Sequence, residues 1–150
     1  MTTIHGTSVL ISGTGVLLRG ASGAGKSDLA LRLIDDGAVL IADDRVELYR
    51  DRDAVAATAP VTLAGLLEVR GVGIMRVPHS PAARLHLVVD LVAPERVERL
   101  PEPTRTELLD VSLPRIDIAP FESSAPAKLR LAAAAAREGR LGTISEPIPT

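Results

Sequence analysis

The sequence predicts one mixed α/β domain in which strands outnumber helices, and three observations lead to this prediction. The chain has 150 residues, 46% of them apolar, which is enough for a single domain with a sizeable core. Short apolar or alternating segments, typical of strands, are frequent, whereas clear helical periodicity occurs in only two segments. One of these two follows a glycine-rich loop that itself follows an apolar strand. The excess of strands over helices favours a mixed sheet over a doubly wound fold.

The predicted elements succeed one another without an internal linker. Residues 7–12 and 16–19 form a hairpin around a Gly-Thr-Gly turn. Residues 27–36 form a helix that Gly37 terminates. The other predicted elements are a strand at 39–42, a hairpin of 46–50 and 54–58, strands at 85–91 and 113–118, and an alanine-rich helix at 128–140 with Pro126 near its first turn. The tail 143–150 contains two prolines and is expected to fray.

Charge and composition exclude several classes of function. The formal net charge is −2, with 17 basic and 19 acidic residues and no long run of one sign, so nucleic acid and anionic membranes are disfavoured as partners. The absence of cysteine excludes disulfides, thiolate zinc sites and thiol catalysis. The chain shows neither a signal-peptide pattern nor an apolar run long enough to cross a membrane, and we expect a cytoplasmic protein.

The glycine-rich loop fits the pattern G-x-x-x-x-G-K-[ST], the phosphate-binding P-loop. Its glycines let successive backbone N–H groups turn toward an anion, and the following helix adds the partial positive charge of its N-terminus. The lysine would neutralise phosphate oxygens and the serine hydroxyl would hold Mg²⁺. The strand before the loop and the helix after it disfavour a chance match. The predicted nucleoside triphosphate site comprises Gly20, Ala21, Ser22, Gly23, Ala24, Gly25, Lys26 and Ser27.

Two adjacent acids, Asp43 and Asp44, follow the predicted strand 39–42. A P-loop enzyme needs a carboxylate near the metal and a group that orients or deprotonates the nucleophile, and this pair can supply both, with Asp44 as the metal ligand. We expect the strand to lie beside the P-loop strand, with its carboxyl end near the phosphates. The alternative interpretation is a polar turn, where Asp is common.

Glu68 and Arg70 lie within the run Leu-Leu-Glu-Val-Arg-Gly-Val-Gly-Ile, two positions apart and therefore on one face of a predicted strand. They could form a surface ion pair on an edge strand. Alternatively, Glu68 is a second metal ligand, with Arg70 and the flexible glycines 71–73 facing the phosphates.

Together, these motifs resemble the bifunctional HPr kinase/phosphorylase family. The resemblance covers about residues 4–118: His-Gly, then the strand and P-loop, then Ala-Asp-Asp-Arg-Val, then Leu-Glu-Val-Arg-Gly-Val-Gly-Ile. It implies a mixed-sheet P-loop domain that resembles the phosphoenolpyruvate carboxykinase type. The implied activity is ATP- and Mg²⁺-dependent phosphorylation of a serine on the phosphocarrier protein HPr, with reversal by inorganic phosphate.

The resemblance also implies roles for individual residues. Ser27 and Glu68 would hold Mg²⁺, and Asp43 would be the catalytic acid/base. His5 and Arg99 match the active-site histidine and arginine of the family. Lys26 completes the catalytic set, and the family forms hexamers, so we expect a homo-oligomer.

The chain also departs from the family pattern. Full-length members carry a separate N-terminal domain, whereas this match begins almost at Met1, so residues 1–150 are expected to form a single catalytic domain. The segment 75–84 is shorter than in the family, and residues 120–124 replace a basic, glycine-containing segment assigned to dephosphorylation. Two other functions stay open: a P-loop kinase for a small-molecule acceptor, and an ATP-sensing module without phosphoryl transfer.

Overall fold

The computed structural model describes residues 1–142, so the expected fraying of the tail 143–150 lies outside the described residues. As predicted, strands dominate. The strands are β1 (Thr2–His5), β2 (Thr7–Ile11), β3 (Thr14–Arg19), β4 (Val39–Ala42), β5 (Arg45–Asp51), β6 (Ala54–Thr58), β7 (Leu66–Val69), β8 (Gly73–Arg76), β9 (Ala82–Leu91), β10 (Thr104–Leu108) and β11 (Val111–Ile118). The helices are α1 (Lys26–Asp35) and α2 (Ala125–Arg137), with 3₁₀ turns at Val61–Leu63 and Pro94–Arg96.

Nine of the strands form one bent, mixed sheet. Its path runs β1-β5-β6-β9-β3-β2-β4, and β11 pairs with both β9 and β10. The ten-residue β9 makes the bend, because its first residues pair with β6 while the rest pair with β3 and β11. The hairpin β7–β8 is a separate two-stranded sheet. The predicted mixed α/β fold is confirmed.

The bend creates two apolar cores, one on each face of the central strands. Val16 and Leu18 of β3 face the helices, where they join Leu29 and Leu129. Leu17 faces the other way and joins the side chains of β5 and β6. All three β3 residues have no solvent exposure. This burial explains why β3 reads as a continuous apolar run: a strand covered on both faces has no polar alternation.

The direction of the strands brings several loops to one edge of the sheet. Strands β3, β9 and β11 are parallel, and β2 is antiparallel to both β3 and β4, so β4 runs in the same direction as β3. The carboxyl ends of β3, β4, β9 and β11 therefore meet where β2 begins, and we call this the site edge. The expectation that β4 would lie directly beside β3 is wrong, since the hairpin partner β2 occupies that position. Because β4 still runs parallel to β3, its carboxyl end reaches the expected edge.

The structure shifts α2 and adds strands that the sequence did not predict. Helix α2 begins three residues earlier than predicted, with Pro126 in its first turn, and ends before Gly139, whose φ of +71° breaks the helix. Strands β1, β8 and β10 are largely exposed, so their sequences carry no alternation of buried and polar residues. Within residues 1–142, no helix has the length and apolar character needed to span a membrane.

Candidate active site

The phosphate loop joins β3 to α1 at the site edge. Gly25 caps the helix with φ +103°, and Gly23 has φ +81°, both in the left-handed region that favours glycine. A glycine cap has no side chain that could bond to the amides of the first turn, so these N–H groups remain available to an anion. The helix starts at Lys26, as the motif predicted.

The Lys26 side chain is hydrogen-bonded to the backbone of the phosphate loop. Its Nζ donates hydrogen bonds to the carbonyl oxygens of Gly20, at 2.7 Å, and Ala21, at 3.0 Å. Burial lowers the pKa of the Lys26 ammonium, and the nearby carboxylates of Asp44 and Asp43 oppose that shift. These two hydrogen bonds therefore hold the ammonium group against the backbone of the phosphate loop.

Asp43 is a buried carboxylate with three hydrogen-bond donors. The residue is 7% exposed. Its Oδ1 accepts hydrogen bonds from Ser27 Oγ at 2.7 Å and Thr7 Oγ1 at 2.9 Å, and its Oδ2 accepts one from the Glu68 amide at 3.2 Å. These donors come from α1, β2 and β7, so three separate elements fix the orientation of the carboxylate. Hydrogen bonding of this kind compensates for the loss of water around a buried anion.

His5 and Asp44 form a second pair, at the rim of the site. His5 Nε2 lies 3.0 Å from Asp44 Oδ1, and both side chains are about half exposed or more, at 49% and 67%. Asp44 takes φ +69°, and its carbonyl accepts a hydrogen bond from the Gly6 amide at 3.2 Å. The backbone bond ties the start of β2 to the turn after β4, so the structure brings His5 next to the acidic pair.

The other predicted site residues lie at different depths. Glu68 is on β7, and its amide touches Asp43 while its side chain is exposed. The strand ends at Val69, so Arg70 belongs to the following turn, and no ion pair joins it to Glu68 in the described part of the chain. Arg99 is exposed in the loop after β9, which leaves the same edge, but it makes no hydrogen bond or ion pair to this cluster within residues 1–142.

The predicted metal ligands suit a magnesium ion better than a softer metal. The predicted ligands are the Ser27 hydroxyl and the carboxylates of Asp44 and Glu68, all hard oxygen donors. The described residues contain no group of three or more acidic or histidine side chains that could hold a metal ion. Mg²⁺ does not require one, because it keeps several waters and shares its coordination with substrate phosphates.

Thr7 is a part of the site that the sequence analysis missed. It is completely buried, and its hydroxyl reaches Asp43 from 36 positions away in the sequence. A polar residue at the start of an apolar strand was the available signal, although it does not identify the partner.

A second missed feature is an ion-pair network below the phosphate loop. Asp90 on β9 accepts hydrogen bonds from Arg19 at 2.8 and 3.1 Å and from Arg115 at 2.8 Å, and Arg115 also contacts Asp117. Burial alone would raise the pKa of Asp90, but the two arginines outweigh it and the pKa is lowered. The network links the ends of β3, β9 and β11, so it fixes the strand from which the phosphate loop departs.

The known proteins that this chain resembles include two HPr kinase/phosphorylases. The HPr kinase/phosphorylase of Geobacillus thermodenitrificans is 40% identical over 132 residues, covering 78% of this chain and 42% of the relative. That of an Acidovorax species is 42% identical over 130 residues, covering 78% and 41%. This chain therefore spans less than half the length of these relatives.

A solved structure agrees with them. The structure of the Hpr(Ser) kinase/phosphatase from Coxiella burnetii matches with a TM-score of 0.82 and 26% identity, over 93% of this chain and 98% of that one. The family model described as the HPr serine kinase C-terminal domain matches residues 1–143. The chain belongs to the HPr serine kinase C-terminal domain family.

Proposed function

We propose that this protein is an ATP- and Mg²⁺-dependent kinase that phosphorylates a serine of an HPr-type phosphocarrier protein. The observation that carries the proposal is the position of Asp43: a buried carboxylate 2.7 Å from Ser27, the last residue of the phosphate loop. Phosphoryl transfer from ATP requires a phosphate cradle and a base for the acceptor hydroxyl within reach of each other.

Asp43 acts as the base in this proposal. As the serine oxygen bonds to the γ-phosphorus, the bond from that phosphorus to the β–γ bridging oxygen breaks, ADP leaves, and the serine proton passes to the carboxylate. The donors from Thr7 and Glu68 orient the carboxylate before transfer. A base that is already oriented contributes about 10²- to 10⁴-fold to such a reaction.

The donor phosphates are held by the loop and its lysine. The amides at the start of α1 and the Lys26 ammonium neutralise charge on the phosphate oxygens. Ser27, Glu68 and Asp44 are the residues we assign to Mg²⁺, which when bound supplies charge neutralisation to the β- and γ-phosphates. Lys26 exchanges its bonds to the loop carbonyls for bonds to phosphate when the nucleotide enters.

The reverse reaction, phosphorolysis of phosphoserine-HPr, uses the same carboxylate. Inorganic phosphate attacks the phosphorus of phosphoserine, Asp43 returns a proton to the serine oxygen, and pyrophosphate is the product. His5, whose Nε2 lies 3.0 Å from Asp44 Oδ1, and Arg99 complete the active site in this proposal, because both match the family pattern. The His5 side chain is about half exposed, and Arg99 lies in the exposed loop after β9.

The proposal also includes the assembly, location and partner of the protein. Residues 1–150 act as a catalytic domain that assembles with other copies of itself, as a hexamer by family resemblance, and works in the cytoplasm with HPr as its partner. Light scattering on the purified chain measures the assembly directly.

The test incubates the purified protein with γ-labelled ATP, Mg²⁺ and HPr, followed by detection of phosphoserine. We expect label on HPr, and none on an HPr variant whose target serine is replaced by alanine. Turnover of ATP only with a small acceptor would favour the small-molecule kinase, and ATP binding without any turnover would favour the sensing module. Either result would contradict the proposal.

A further inference from the structure

The only phenylalanine of the chain, Phe121, lies exposed against the phosphate loop. It follows the buried Pro120 in the loop between β11 and α2. A Cβ placed on Gly25 would lie 2.8 Å from Phe121 Cζ and 3.0 Å from Cε1, so the ring rests on the backbone of Gly25. The residue is nevertheless 69% exposed. One part of the ring contacts the loop while most of it faces solvent.

Arg32 of α1 fixes the segment that carries this ring. It donates hydrogen bonds to the carbonyl oxygens of both neighbours of Phe121, those of Pro120 and Glu122. Asp28, one turn earlier on α1, holds the guanidinium at 3.0 Å. Helix α1 also begins at the phosphate loop. The same helix therefore fixes the position of the ring relative to the loop.

The strand order places Phe121 and Asp43 on opposite sides of the phosphate loop. In the order β11-β9-β3-β2-β4, the loop leaves the central strand β3, Asp43 follows β4 on one side, and Phe121 follows β11 on the other. A triphosphate bound in the loop with its γ-phosphate toward Asp43 therefore directs its nucleoside toward the β11 side. Only a ribose separates the first phosphate of the nucleotide from the base.

We propose that Phe121 is the surface on which the base of the nucleoside triphosphate stacks. This inference rests on the proposed function for the binding of a nucleotide, and adds the residue that holds its base. An exposed aromatic ring on a fixed backbone loses little conformational entropy on binding, and base–aromatic stacking is a general source of affinity for nucleotides.

Stacking also determines what the site can distinguish. Every base has a π face, so a stacking surface binds different bases with similar strength. The contribution of Phe121 should therefore be similar for ATP and GTP, and absent for a polyphosphate without a base.

The test compares two ligands by calorimetry on the complete chain: Mg-ATP, and Mg-tripolyphosphate, which has the phosphates but no base. We expect Phe121→Ala to weaken Mg-ATP binding about five- to a hundredfold and to leave the Kd of Mg-tripolyphosphate unchanged. Leu131→Ala removes another exposed apolar side chain, on α2, and should change neither Kd.

A tryptophan at the same position provides a second, independent reading. The chain contains no tryptophan, so Phe121→Trp creates a single reporter of the stacking surface. This variant should restore Mg-ATP affinity and show a change in fluorescence with Mg-ATP but not with Mg-tripolyphosphate.

Three results would overturn the inference. Equal weakening of both ligands by Phe121→Ala would mean that the ring only supports the loop. An unchanged Kd for Mg-ATP would mean that the base lies elsewhere, and a changed KM for HPr alone would assign the ring to the acceptor protein. The Kd and fluorescence measurements do not need phosphoryl transfer: a wild-type protein that binds Mg-ATP through Phe121 but leaves HPr unmodified would contradict the proposed function and not this inference.

Discussion

The phosphate loop and the β7–β8 hairpin both contact Asp43, but they differ in how much of their surface is buried. Lys26 and Asp43 are each 7% exposed. The Lys26 ammonium is bonded to two carbonyl oxygens of the loop, and the Asp43 carboxylate accepts hydrogen bonds from three elements. In the hairpin, every residue of β8 is exposed, and Ile74 reaches 70%. The side of the site that would hold the phosphate donor is thus built before any ligand arrives, whereas the neighbouring hairpin offers its surface to solvent.

This difference follows from what each side has to bind. A triphosphate is small and highly charged, and fixed dipoles bind it best because they need no rearrangement when charge develops. Under the proposed function, the acceptor serine arrives on another protein, whose approach to Asp43 requires uncovered surface nearby. Three predictions test this difference between the buried phosphate-loop side and the exposed hairpin, and they are given in order of decreasing expected effect.

The largest effect is expected from Asp43→Asn. The amide keeps the size of the side chain but cannot take the serine proton, so both kinase and phosphorylase rates should fall about 10²- to 10⁴-fold while Mg-ATP still binds. Rates in both directions and the Kd of Mg-ATP measure this. The control is Asp53→Asn in the exposed β5–β6 turn, which should keep wild-type rates. Substantial activity of Asp43→Asn in either direction would exclude Asp43 as the acid/base.

The hairpin itself contains a matched pair of apolar residues. Leu67 on β7 has no exposure and belongs to the core beneath α1, so Leu67→Ala should lower the free energy of unfolding by about 2–5 kcal/mol. Ile74 on the paired strand is exposed, and Ile74→Ala should change it by no more than about 0.5 kcal/mol. Urea unfolding of both variants tests this. A comparable decrease in the free energy of unfolding for both variants would show that β8 contributes to stability as much as the buried part of the hairpin does.

A smaller, pH-dependent effect is expected from the ion pairs that anchor β3. The pKa of Asp90 is lowered in the folded protein, so its ion pairs stabilise the fold above the ordinary carboxyl pKa of 3.8, and this contribution disappears as the pH falls through the folded value. Asp90→Asn should therefore cost on the order of 1–3 kcal/mol near neutral pH. The difference between variant and wild type should shrink below about pH 4. Thermal or urea unfolding at several pH values measures it, and a difference independent of pH would contradict the assigned role.

Residues that act through their immediate neighbours were predictable. The loop from Gly20 to Ser27 depends on glycine φ angles and on a strand and a helix adjacent in sequence, and the structure has all three. The acidic pair was expected at the site edge because a single helix returns the chain to the sheet. The prediction placed Asp43 at the correct edge even though it placed β4 beside the wrong strand.

Contacts between distant segments were not predictable in the same way. Thr7 with Asp43, Arg19 with Asp90, and Arg32 with the loop of Phe121 join positions 36, 71 and about 90 residues apart. Each depends on which strands become neighbours, and that choice results from competition among many apolar surfaces of similar composition. A single sequence does not rank those alternatives, because Leu, Val and Ala fill nearly all core positions.

Local backbone geometry and periodicity specify the phosphate loop, the strand and helix around it, and the acids that follow, so these features can be read from the sequence. Three others appear only in the folded chain: β2 separates β3 from β4, Thr7 donates a hydrogen bond to Asp43, and Phe121 lies on Gly25. These features depend on burial and strand pairing across the whole chain. The physical reason is that the free energy of a long-range contact belongs to the complete packed core and not to either segment alone.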